Sequence, residues 1–161
     1  MKNCRIEIKW AIIFAVMTLV WIFSEKLLGL HDEHIDQHPI VTNFIAIPAV
    51  LIYVLALLDK RRKSYSGTMS YKQGFVTGLI ITLFIMVLSF FTQFIVSTFI
   101  TPEYFPNAIK YAVSEGMMKQ EDAENYFNMK NYLVQSIIGA AIMGLLTTAI
   151  VAIFTRRKNV N

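Results

Sequence analysis

All three histidines of the chain, His31, His34 and His38, fall in one stretch, HDEHIDQH, with Asp32, Glu33 and Asp36 interleaved. Spacings of three and four would place the imidazoles on one face of a helix. Three such nitrogens suit zinc, nickel or copper, and the acids could add oxygen ligands or orient the rings. A divalent transition metal here is the one cofactor the residues suggest. Against it, Gly29-Leu30 opens the stretch, Pro39 closes it, no thiolate contributes, and so short a turn need not be helical. Two other readings stay open. One is a solvated acidic turn between apolar segments; the other is a pH-responsive loop, because imidazoles titrate near neutrality.

Three further polar residues interrupt apolar segments: Glu25, Asn43 and Gln93. Ionisable groups at membrane depth are candidates for function, and a Glu25 facing the bundle could hydrogen-bond Asn43 or Gln93, or take a proton. Structural hydrogen bonding is the plainer role for all three. The neighbouring Lys26 lies close enough to an interface to snorkel. Ser89, Gln93 and Ser97 recur at four-residue spacing in the same apolar run, with Thr92 nearby.

The elements that must position these residues are membrane spans. The chain has 161 residues, 55% hydrophobic and only 16% charged, against about 25% charged in soluble domains. A hydrocarbon core of about 30 Å needs roughly 20 helical residues. Four segments reach that length, at about 9–30, 39–58, 73–101 and 131–155. The first follows Lys2, Arg5 and Lys9 but offers no small-x-small cleavage site, so an uncleaved span is expected. One all-α domain over 1–161 is expected, an integral membrane four-helix bundle.

Eleven of the fifteen basic residues gather on one side: Lys2, Arg5, Lys9, Lys60, Arg61, Arg62, Lys63, Lys72, Arg156, Arg157 and Lys158. Nine of the eleven acids, all but Glu7 and Asp59, fall on the other. Positive charge marks the cytoplasmic side, so both termini are expected there. The net charge of +4 is thus a topology signal, and no nucleic-acid partner is expected. The lone Cys4 reads as an inert reduced thiol.

Between spans 3 and 4, about 102–130, Pro102 and Pro106 break the third helix. Ala108, Ile109, Ala112, Val113 and Met117 then recur at helical spacing, predicting an amphipathic outer helix that Gly116 ends. KQEDAENYFNMKNYL predicts a second helical piece running into span 4. Tyr104, Phe105, Tyr111, Tyr126, Phe127 and Tyr132 are candidate interfacial anchors, and the helices could instead form a lid or docking surface.

Small residues at every fourth position, Ser136, Ala140, Gly144, Thr148 and Ala152, stripe span 4. Gly74, Gly78 and Thr82 do so in span 3. Close backbone approach drives helix association in lipid, so these antiparallel spans should be neighbours, with Gly78 near Ala152. Pro48 is expected to kink span 2. The chain has no Gly-rich phosphate loop, nucleophile elbow or HExxH pattern, so an enzyme is not expected.

The segments SEKLLGLHDEHIDQHPIVTNFIAIPAVLIYVLALLDKRRK, SYKQGFVTGLIITL, ITPEYFPNAIKYAVSEGMMKQEDAENYF and IMGLLTTAIVAIFTRRK resemble a family of small bacterial inner-membrane proteins, domain of unknown function 4199. ITPEYFPNA followed by GMMKQEDAE carries the resemblance most specifically. It implies a four-span helical protein in the bacterial inner membrane and no known activity, so it assigns no residue a role. Three functional classes remain. The leading one is a non-enzymatic interaction, scaffold or accessory protein, with the bilayer and a second copy or a membrane protein as partners. The others are transport of ions or small solutes as an oligomer, and metal or pH sensing at the outer face.

Overall fold

The computed structural model describes residues 4–157. Helix α1 (Arg5–Leu27) leads to a loop of turns and the short α2 (His38–Val41), which passes through a 3₁₀ turn (Thr42–Ile45) into α3 (Ala46–Ser64). Helix α4 (Tyr71–Ile95) is prolonged by a π turn (Val96–Ile100). Then come α5 (Tyr104–Ser114), α6 (Gln120–Tyr126) and α7 (Met129–Thr155). Among the described residues four stretches are long and apolar enough to cross a membrane: Arg5–Leu27, His38–Ser64, Tyr71–Ile100 and Met129–Thr155. The fold is an all-α bundle.

Local chemistry accounts for the differences from the predicted bounds. Helix α1 stops at Leu27 because Gly29 takes φ +73°, a conformation that favours glycine. The Gly29 amide then donates to the Lys26 carbonyl at 3.0 Å and the Leu30 amide to the Glu25 carbonyl at 3.0 Å. This Schellman pair turns the chain back over the Glu25 end of α1. Pro48 sits in the first turn of α3, and the departure from α geometry falls just before it, at Thr42–Ile45. The segment expected to run unbroken into span 4 is instead interrupted. Phe127 and Asn128 leave helical geometry, and the Asn128 side chain caps α7 by accepting from the Asn131 amide at 3.0 Å. Such a polar cap competes with continuing the helix. Helix α5 does end at Gly116, φ +67°.

Helix α4 is the hub and packs most extensively on α7 and then on α1. The α4–α7 contact is reciprocal. A Cβ on Gly78 would overlap the side chain of Thr148, one on Gly144 would overlap that of Thr82, and one on Gly74 would lie 3.4 Å from the Ala152 Cβ. The two spans are neighbours as expected, with Gly74 rather than Gly78 facing Ala152. Tyr53 of α3 joins them through a 2.8 Å hydrogen bond to Thr82. Ala11, Ala56, Leu57, Ile81 and Val151 complete the core, while Val16, Val20, Phe44, Leu83, Phe91, Ile142 and Phe154 point outward as a lipid-facing surface must.

The end of the bundle where α1 begins and α7 ends is tied by charge. Glu7 and Lys60 form a buried 2.7 Å ion pair, and Asp59 accepts from Lys9, Lys63 and Trp10 at 2.5, 2.9 and 2.9 Å. Met69 and Arg157 exchange backbone hydrogen bonds. The opposite, distal end holds the polar residues considered next.

Candidate functional site

The Schellman turn after α1 sends Leu30 inward, where it is buried, and brings His31 back over Glu25. Pro39 at the start of α2 sets the chain's re-entry, and His38 arrives from the other side. The result is a three-residue cluster. His31 Nε2 lies 3.5 Å and His38 Nε2 3.8 Å from Glu25 Oε2, and one donor atom from each residue lies within 4.8 Å of the others. Glu25 is 3% exposed and His31 7%. The other Glu25 oxygen accepts from Trp21 Nε1 at 2.6 Å, one helical turn earlier.

The aromatic rings form a collar. The centroids of His31 and His38 are 5.0 Å apart, and Tyr104 of α5 lies 5.2 and 5.3 Å from them. The Tyr104 hydroxyl pairs with that of Tyr132 of α7 at 3.2 Å. Burial, chiefly, raises the Tyr104 pKa, and the nearby Glu25 carboxylate adds to the rise; the Tyr132 hydrogen bond opposes it. Asn107 Nδ2 donates to the His31 carbonyl at 3.0 Å and so fastens α5 to the histidine turn. His31 Nδ1 is buried without a hydrogen-bond partner.

A cavity of about 170 Å³ opens beside the cluster, lined mainly by polar residues, including Thr42, Gln93, Ser97, Thr101 and both tyrosines. The π turn matters here. On a straight α-helix Thr101 would sit about 80° around from Gln93; the wider turn, closed by the Thr101 amide on the Val96 carbonyl at 2.8 Å, keeps Gln93, Ser97 and Thr101 on one side. Such π turns recur at functional sites.

Of the residues singled out from the sequence, the structure brings together His31, His38, Glu25 and Gln93. It leaves two outside. His34 is exposed on the loop, because residues 28–37 form turns rather than the helix that would have aligned all three imidazoles. Asn43 is exposed and donates to its own Pro39 carbonyl at 2.6 Å, so it does not meet Glu25. Asp32, Glu33 and Asp36 are exposed as well. Gln93 reaches Ser97 at 2.8 Å. Lys26 donates to the Ile100 carbonyl and stays exposed. Sequence reasoning missed Trp21, although its spacing of four from Glu25 was a usable signal. It also treated Tyr104 and Tyr132 as interfacial anchors, whereas both are half-buried around the cavity.

The donor set fits a transition metal. Two imidazoles and one carboxylate match the ligand types of zinc sites with an open fourth position. Tetrahedral donors about 2.1 Å from zinc lie about 3.4 Å apart, close to the observed 3.5 and 3.8 Å. Over residues 9–157 the chain matches the model of a family described as a protein of unknown function (DUF4199), and it belongs to that family. No curated protein and no solved structure matches it.

Proposed function

We propose that this is a non-enzymatic membrane protein that holds a divalent transition metal ion, zinc foremost, between Glu25, His31 and His38. The observation that carries the reading is a buried carboxylate whose side-chain partners are one indole, two imidazoles and the Thr42 hydroxyl, with no lysine or arginine lining the adjoining cavity. Burying an ionised carboxylate without a compensating charge is costly. Imidazole donors favour zinc, copper or nickel over magnesium and calcium.

In this reading the basic terminal end faces the cytoplasm of a bacterial inner membrane, and the metal site faces outward. The role is sensing or scaffolding: a bound ion would hold the histidine turn, α1 and, through Tyr104 and Asn107, α5 in one arrangement. A transport path through one copy is disfavoured. The cavity lining stops at Ile22 and Gln93, and the layer beneath is packed by Tyr53, Ile81 and Thr82.

The test is calorimetric titration of the purified protein with zinc, nickel and copper, beside Glu25→Gln, His31→Ala, His38→Ala and His34→Ala. Stoichiometric, micromolar or tighter binding is expected, weakened at least about tenfold by the first three changes and unaltered by His34→Ala. Weak binding shared by every variant would reduce the cluster to a buried hydrogen-bonding network. Loss only in His34→Ala would return the site to the exposed loop.

A further inference from the structure

The cluster supplies three donors, whereas zinc sites take four. Resting on the metal reading above, we propose that the fourth ligand is a small monocarboxylate bound in the adjoining cavity. Three observations lead there.

The first is space. The cavity of about 170 Å³ far exceeds the roughly 10–15 Å³ that one water needs, and it lies directly against Glu25, His31 and His38. The second is the direction of its hydrogen bonds. In the Tyr104–Tyr132 pair one hydroxyl donates to the other, so the accepting tyrosine keeps a proton free to donate elsewhere. Gln93 likewise donates to Ser97, which leaves the serine its own proton. The Thr101 hydroxyl is spent on the Val96 carbonyl and that of Thr42 on Glu25, so the tyrosine pair and Ser97 are the spare donors, and spare donors suit an anion. The third is charge. A divalent ion, one Glu25 carboxylate and two neutral imidazoles sum to +1. The lining holds no lysine or arginine and no second acid. One negative charge neutralises the loaded site, whereas a phosphate dianion would overshoot it with no cation to answer.

One carboxylate oxygen then completes the metal's coordination and the other accepts from the tyrosine pair. The ligand is an acetate-sized acid, reached from the distal side of the membrane, and its binding requires the ion.

The test uses the full chain in detergent micelles, loaded with Co²⁺ so that coordination can be followed by visible absorption. Acetate is titrated into loaded and metal-free protein, with inorganic phosphate as the comparison. Acetate is expected to change the cobalt spectrum saturably, to leave metal-free protein unaffected, and to outcompete phosphate. Tyr132→Phe should weaken acetate about tenfold while weakening Co²⁺ far less; cobalt retained by the variant shows that it is folded. Bound cobalt whose spectrum ignores acetate, or phosphate binding more tightly, overturns this inference and leaves the metal reading standing. Failure of wild-type protein to bind cobalt or zinc overturns both.

Discussion

Replacing Gly144 with alanine tests the register on which the distal cavity depends. A Cβ there would lie 2.6 Å from Thr82 Oγ1 and 2.9 Å from the Tyr53 hydroxyl, inside the contact that joins α3, α4 and α7. Overpacking of this kind costs about 1–3 kcal/mol, and displacing Thr82 from Tyr53 forfeits a further ~0.6 kcal/mol for an interhelical hydrogen bond in lipid. The helical preference for alanine over glycine returns about 0.5–1 kcal/mol. Net destabilisation of about 1–3 kcal/mol is therefore expected. Gly139, five positions earlier on the same helix, has nothing within 4 Å of its virtual Cβ, so Gly139→Ala should be neutral or stabilising by up to about 1 kcal/mol. Reversible unfolding in mixed micelles measures both. Adding Thr82→Ala removes the obstacle, so the Gly144→Ala/Thr82→Ala double variant should recover at least about 1 kcal/mol relative to additivity. Equal stabilities for the two glycine variants, or strict additivity in the double variant, would refute the interlock. The α7 position that sets Tyr132 opposite Gln93 and Ser97 would then lack its structural basis.

Two further perturbations probe the two ends of the bundle. Lys60→Met should destabilise by about 3–5 kcal/mol because it strands the buried Glu7 carboxylate, whereas Glu7→Leu/Lys60→Met should return close to wild type; unfolding that ranks the double variant below the single one would count against the pair. At the distal end, the folded Tyr104 pKa lies above its ordinary value of about 10, so its contribution to stability is present below that pH and is lost as pH rises towards the folded value. Wild-type protein should therefore lose more stability between about pH 9 and 11 than Tyr104→Phe does, as read by unfolding at each pH, and an equal loss would place the phenol in solvent.

The spans were legible because hydropathy over about 20 residues leaves no soluble alternative. The α4–α7 pairing was legible because small residues at four-residue spacing mark one helix face. Its register was not, since a stripe repeats every turn and cannot say which glycine meets which partner. The site was half legible. Glu25, His31, His38 and Gln93 were recognisable as polar residues in an apolar context, but their assembly depended on the backbone at Gly29. Spacing arguments assume one regular helix; a left-handed glycine breaks that assumption and sends His31 inward while His34 stays in water. Tyr104 and Tyr132 lie 28 positions apart, and only the turn through α5 and α6 sets them face to face.

The two ends of the bundle treat buried charge differently, and that contrast bears on function. At the terminal end each buried or half-buried acid has an ammonium partner: Glu7 has Lys60, and Asp59 has Lys9 and Lys63. At the distal end Glu25 is as deeply buried as Glu7, yet the adjacent Lys26 is spent on the Ile100 carbonyl. A lysine simply filling the charge deficit would have been the plainer solution, as Lys60 shows. Two imidazoles instead leave the site short of positive charge, which a metal ion between them would supply. A fixed structural pair has no need of a polar cavity alongside or of a π turn to aim a helix at it. These features are what the proposed metal site would need, which is why metal titration decides between a binding protein and a merely well-packed one.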